Sequence, residues 1–174
     1  FLVGGVKRLR FEISNEGSAA AENYQYRIDY FPMGVSCTGP WTDVGAASGD
    51  WDMSDSTYFS NGADTTNIGT GTTGGVTDAN PTFKTPNAAL LDTSSSSPQI
   101  SLSYEDFLEA EYSIKPNVSS GSYCFRLSNV GSTTNFTYTR YAATTVTLAN
   151  PLLNQRTGYI ENDENDDVIA NGST

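Results

Sequence analysis

Residues 122–131, SYCFRLSNVG, alternate strictly: Tyr123, Phe125 and Leu127 fall on one side of an extended chain, and Ser122, Cys124 and Arg126 on the other. A period of two does not fit the 3.6-residue repeat of a helix. One apolar side opposite one polar side marks a half-buried antiparallel strand. Asn129, Val130 and Gly131 close it with a turn. The same period recurs elsewhere. Leu9, Phe11 and Ile13 oppose Arg8, Arg10 and Glu12 in 6–13, and Tyr24, Tyr26, Ile28 and Tyr30 oppose Gln25, Arg27 and Asp29 in 23–31. In 107–115, Leu108, Ala110, Tyr112 and Ile114 oppose Glu109, Glu111, Ser113 and Lys115. Shorter strands are expected at 41–44 and 100–104, and a last one over 135–141 and 144–148, bent near Ala142 and Ala143. No segment has a helical period. The expectation is an all-β antiparallel sandwich organised around 122–131, with Trp41 as the large plug between its sheets.

A chain of 174 residues suits one domain. We place a β-sandwich over 1–157, with a Gly/Ser/Thr-rich insertion at 45–98 and an acidic, extended C-terminal segment at 158–174. The insertion shows no clear period, and more than fifty structureless residues do not suit a compact domain, so several short strands are expected within it. Charge narrows the partners. Nine basic residues against twenty acidic ones give a net charge of −11, which repels phosphates and anionic lipids and argues against nucleic acid as a partner. No run approaches the roughly 20 apolar residues of a membrane span. Only 17% of residues are charged, and Ser, Thr, Asn and Gly supply the polar surface, a composition expected of an extracellular or cell-surface β protein. Phe1 in place of an initiator methionine is expected of a processed product or of one piece of a longer polypeptide.

Cys37 and Cys124 are the two cysteines of a chain without histidine, so a Cys-His nucleophile is impossible and a disulfide is the expected pairing. Closing a loop of this length stabilises a fold by roughly 4–5 kcal/mol in the chain-entropy picture. Alternation places the Cys124 sulfur on the face opposite Tyr123, Phe125 and Leu127. The bridge is therefore expected on the outer side of its sheet, not across the core. Gly69 to Gly74 spells GTGTTG, but neither a preceding apolar strand nor a following helix supports dinucleotide binding.

Other constellations are weaker. Asp163, Asn165 and Asp167 have the one-three-five spacing that converges oxygens on calcium, yet Val168 stands where an EF-hand needs glycine and Thr174 where it needs glutamate. The expectation is no cofactor, with structural calcium as the alternative. Asn117, Asn135 and Asn171 head glycan-acceptor triplets. Without histidine, a catalytic pair would have to come from carboxylates such as Glu109 and Glu111, which alternation puts on a polar, solvated sheet face, so no enzyme is expected. Trp51, Tyr58 and Phe59 are candidates for a stacking platform in a binding module.

The motif YCFRLSNVG resembles the penultimate strand of fibronectin type III and other immunoglobulin-like sandwiches. The order RLRFEISNEG, YQYRIDYF, Cys37 with Trp41, YCFRL and TYTRYAATTV is similar to a repeat domain of very large bacterial surface proteins. In that family a GYRxxxNxxD-like segment leads the first strand. Here its closest match, Gly158 to Asp163, stands at the C-terminal end, as though the unit were permuted. The resemblance implies an immunoglobulin-like sandwich lacking one strand, with Tyr159, Ile160, Val168 and Ile169 supplying it to the next copy. The partners would be copies of the chain itself, joined head to tail as a homopolymer or as tandem repeats of a filament or fibre. A cell-surface adhesin or carbohydrate-binding module is the alternative function.

Overall fold

The structure, a computed structural model, describes residues 2, 4–69, 82–138 and 140–148, together with the backbone of 159–162 and 167–170. Among them are thirteen strands and no helix: β1 (Lys7–Ser14), β2 (Ala21–Tyr24), β3 (Tyr26–Pro32), β4 (Thr42–Asp43), β5 (Trp51–Met53), β6 (Thr82–Phe83), β7 (Leu90–Leu91), β8 (Ile100–Leu102), β9 (Asp106–Pro116), β10 (Gly121–Asn129), β11 (Ala142–Val146), β12 (Tyr159–Asn162) and β13 (Asp167–Ala170). One sheet has β9 at its centre, antiparallel to β1 on one side and to β5 on the other. β6 and β7 pair in parallel with β9. The second sheet runs β11-β10-β3-β4, with β10 antiparallel to both neighbours. Two small pairs, β2-β8 and β12-β13, stand outside these sheets.

The alternation dictates how the layers meet. Tyr26, Ile28 and Tyr30 of β3, Tyr123, Phe125 and Leu127 of β10, and Leu108, Ala110, Tyr112 and Ile114 of β9 are buried in one shared cluster. Residues 122–131 are thus central to the second sheet, as the sequence led us to expect. The plug between the layers is a different tryptophan. Trp51, which opens β5, is fully buried, with its ring edge-on to Phe125 at 4.9 Å and Tyr123 at 5.5 Å. Trp41 lies on the outer face of the second sheet, 5.8 Å from Phe31 and stacked on Tyr141 at 5.3 Å, with the Arg126 guanidinium 4.4 Å from its ring. The reason is covalent. Cys37 is bonded to Cys124, whose side chain projects outward between Ala143 and Phe31, so the loop four residues before Trp41 is tied to that outer face.

The outer face of each main sheet is also covered. Over the second sheet, the described residues of 135–141 do not form the expected strand. Phe136 stacks on Tyr138 at 6.2 Å and Tyr138 on Tyr141 at 5.4 Å, making an aromatic roof that leads to Trp41. Asn135 begins it with φ 68°, a left-handed residue that breaks strand geometry. Over the first sheet lies the insertion, which contributes β5, β6 and β7. Asn87 pins it, accepting from the Thr65 amide at 2.8 Å while its own side-chain amide donates to the Lys84 carbonyl at 2.9 Å. Trp51→Ala should cost about 3–5 kcal/mol because it empties the core. Trp41→Ala, which uncovers only an outer face, should cost distinctly less. Urea unfolding of the two variants checks the order.

Candidate functional site

Glu109 and Glu111 project from the outer side of β9, as alternation requires, but that side is not solvated. Glu109 is fully buried and Glu111 nearly so. Arg10, on the neighbouring β1, reaches both carboxylates with the two ends of its guanidinium. Arg8 adds a contact to Glu111 at 2.8 Å. The insertion closes over them: the Ile68 amide donates to Glu109 at 3.1 Å, Arg10 donates to the Thr66 carbonyl at 3.0 Å, and the Thr65 hydroxyl donates to the Glu109 carbonyl at 2.6 Å. The two acids are therefore neutralised structural groups. A catalytic pair would need substrate access, and these have none.

A second buried charge sits on the outer face of the other sheet. Asp29 accepts from Arg27 at 2.7 Å and from the Ser128 hydroxyl at 2.7 Å, with Arg126 at 3.5 Å. The aromatic roof that holds Arg126 against Trp41 also covers this cluster. Three tyrosines in the interior resist ionisation. Burial raises Tyr112 well above its ordinary 10, and its hydroxyl donates to the Tyr26 carbonyl at 2.7 Å. Tyr26 is also raised, by burial and then by its neighbour Tyr24. Burial, and then the hydrogen bond to Asp50 at 3.0 Å, push Tyr123 up to about 12.

The stacking platform does not assemble. Trp51 is in the core, Tyr58 is 87% exposed, and Phe59 lies under Arg8 at 5.9 Å. The GTGTTG stretch falls outside the described residues after Gly69. The cysteines form the expected bridge, with Cα atoms 5.9 Å apart. Asn117 and Asn135 are exposed, but both side-chain amides are engaged, with the Gly49 carbonyl at 3.2 Å and the Tyr24 hydroxyl at 3.1 Å respectively. Asn171, Asp163 and Asn165 lie outside the described residues. Asp167 opens β13, and among the described residues no cluster of acids or cysteines is arranged to hold a metal. Likewise, among them no helix is long and apolar enough to cross a membrane.

Among the described residues, one side of the sandwich is left open. β4 and β5 close the opposite side through 44–50, where the Gly45 amide donates to the Trp51 carbonyl at 2.9 Å. On the open side stand β1 and β11, each paired with a single strand. Leu2 bridges Thr147 just past the end of β11, so the chain passes from one open edge to the other within a few residues. The Asn15 amide donates to the Asp106 carbonyl across a bulge at Glu105, whose φ is 60°. By alternation from that bond, odd residues of β1 turn their amides toward β9. Those of Arg8, Arg10, Glu12 and Ser14 turn away, toward a side on which no strand pairs among the described residues. The inner row is correspondingly incomplete. Leu9, Phe11 and Ile13 are only half-buried, whereas Leu108, Ala110, Tyr112 and Ile114 beside them are fully buried. Ala142 and Thr144 of β11 are half-buried in the same way.

Tyr159, Ile160, Val168 and Ile169 lie in β12 and β13. These strands form an antiparallel hairpin in which Ile160 pairs with Ile169 and Glu161 with Val168. The segment is thus a two-stranded unit, where the sequence suggested a single extended strand. Comparison with protein-family models, curated proteins and solved structures returned no match.

Arg10→Met leaves buried Glu109 without a cation and Glu111 with Arg8 alone, and should destabilise the fold by about 3–5 kcal/mol. Arg8→Met removes a half-exposed side chain and leaves Glu111 its Arg10 contact, so it should cost less, about 1 kcal/mol. Denaturant midpoints of the two variants test this ranking. Tyrosines whose acidity is suppressed by folding add stability below pH 10 that is lost as pH rises through about 12. Alkaline titration followed by tyrosinate absorbance should therefore show a late fraction that ionises together with loss of structure.

Proposed function

We propose that the chain is a structural subunit or repeat of an extracellular filament or surface fibre, assembled head to tail by β-strand addition. One observation carries this reading: β1 and β11 face the same side of the sandwich, each lacking a partner strand there among the described residues, above an inner row that is half-covered. An edge strand of eight residues with outward amides is a template for another chain, and natural folds usually protect such edges. The C-terminal hairpin, apart from both main sheets, supplies β structure with an edge of its own. Joining unlike surfaces on successive copies propagates without closing unless the rotation returns on itself, and the product is a fibre. The outer faces favour the same setting. Both are covered, and that of the second sheet is braced by the disulfide, which suits a component whose work is mechanical.

The resemblance to repeats of large bacterial surface proteins fits this reading, as does a composition expected outside the cell. We further read the chain as immunoglobulin-like, without catalytic activity, and working with copies of itself. Removing 158–174 is the test. The shortened protein should keep the melting behaviour of the sandwich and stop forming polymers visible by electron microscopy. Fibres undiminished by the deletion would end the proposal.

A further inference from the structure

We infer that the outward edge of β1 is the acceptor for the β12–β13 hairpin of a second copy, which docks as a preformed unit and extends the first sheet. The inference rests on the assembly reading above and specifies which surfaces meet. Three observations select this pair.

The first is backbone complementarity. A hairpin of two four-residue strands is marginal by itself and gains a third strand by lying against an edge. β1 offers such an edge over Arg8 to Ser14, with its amides in the spacing an antiparallel or parallel neighbour requires. The second is charge. The sequence from Glu161 to Asp167 carries five acidic residues and no basic one, in a chain with only nine cations. Lys7 and Arg8 are exposed at the start of β1; Arg10, and in part Arg8, are committed to the buried glutamates, which leaves Lys7 as the cation there with no ion pair to them. An acidic hairpin is attracted to this end of β1 and repelled by most of the remaining surface, which sets both the choice of edge and the direction of docking. The third is the apolar row. Leu9, Phe11 and Ile13 are half-buried, and the hairpin register sets Ile160 directly opposite Ile169, an apolar pair on one face that can continue that row, with Tyr159 and Val168 on the other face.

The β11 edge is the less suitable acceptor. Its residues are Ala142, Ala143, Thr144, Thr145 and Val146, without a cation, and Leu2 already occupies the position beside Thr147.

Full-length variants separate acceptor from donor. Arg8→Pro with Ser14→Pro removes two outward amides from β1 while leaving the bonds to β9 in place, since proline is tolerated where an edge strand's N–H faces away. Ile160→Pro with Ile169→Pro spoils the hairpin and leaves β1 intact. Each variant alone should sediment as a monomer under conditions where the parent chain forms polymers, and mixing the two should give a one-to-one dimer and nothing larger. Lys7→Glu, which leaves every backbone amide and the Arg8–Glu111 pair in place, should weaken assembly at low salt, and raised salt should narrow its difference from the parent as screening grows.

If Arg8→Pro/Ser14→Pro folds and still forms polymers that depend on the hairpin, β1 is not the acceptor and only this inference falls. Should those prolines prevent folding, the charge-reversed variant decides, and its unchanged assembly at low salt overturns the inference. A parent chain that stays monomeric, with the β1 edge protected by its own hairpin, would overturn this inference and the proposed function together.

Discussion

The structure depends on Arg10. It stands on an edge strand yet reaches outward and sideways to Glu109, which would otherwise have no cation under the insertion, and to Glu111, which it shares with Arg8. A buried carboxylate without its cation is costly, whereas one with a two-pronged arginine and backbone donors is tolerated. That single side chain therefore does three things. It secures β1 to β9 from the face opposite the core, it lets the insertion fold over β9, and it gives the insertion a carbonyl contact at Thr66. The other sheet repeats the solution with Asp29 between Arg27, Arg126 and Ser128, covered by aromatic rings.

Covering both outer faces changes what remains available for function. A sandwich with solvated outer faces could bind through them, but here the faces are occupied by the chain's own loops and the central strands β9 and β10 are buried on both sides. The exposed structural resource is an edge. β1 is held through Arg10 and through the inner row, and among the described residues no second strand pairs with it. The hairpin at the other end of the sequence is of opposite charge to the accessible end of β1. The proposed assembly joins an edge that has no partner strand among the described residues to a β hairpin that pairs with neither main sheet.

How much of this can be read from residue order varies by element. The inner faces of β1, β3, β9 and β10 follow directly from their alternation, and so does the outward disulfide, because a period of two assigns every side chain to a face. Periodicity cannot say whether a polar face meets water or another layer. Glu109 and Glu111 read as solvated for that reason, although the insertion, whose Gly, Ser and Thr residues carry no period, covers them. Trp41 and Trp51 could not be ranked by local pattern. The position of Trp41 is set by a cysteine 87 residues from its partner, a long-range tie that its neighbours do not reveal. The aromatics of 136–141 read as a strand because Phe136 and Tyr138 alternate, yet they stack as a roof. For the candidate site, the apolar residues and the acidity of the C-terminal segment are legible in the sequence, whereas its hairpin pairing and the identity of the open edge depend on long-range strand pairing that local pattern does not encode.

Backbone hydrogen exchange of β1 tests the central claim most directly, because its even and odd amides report on opposite edges of one strand. In the dispersed chain the amides of Leu9, Phe11 and Ile13 should exchange slowly and those of Arg8 and Arg10 quickly. On assembly the account predicts that Arg8 and Arg10 become protected while the odd set is unchanged. Polymers in which Arg8 and Arg10 still exchange as fast as in the monomer would contradict it.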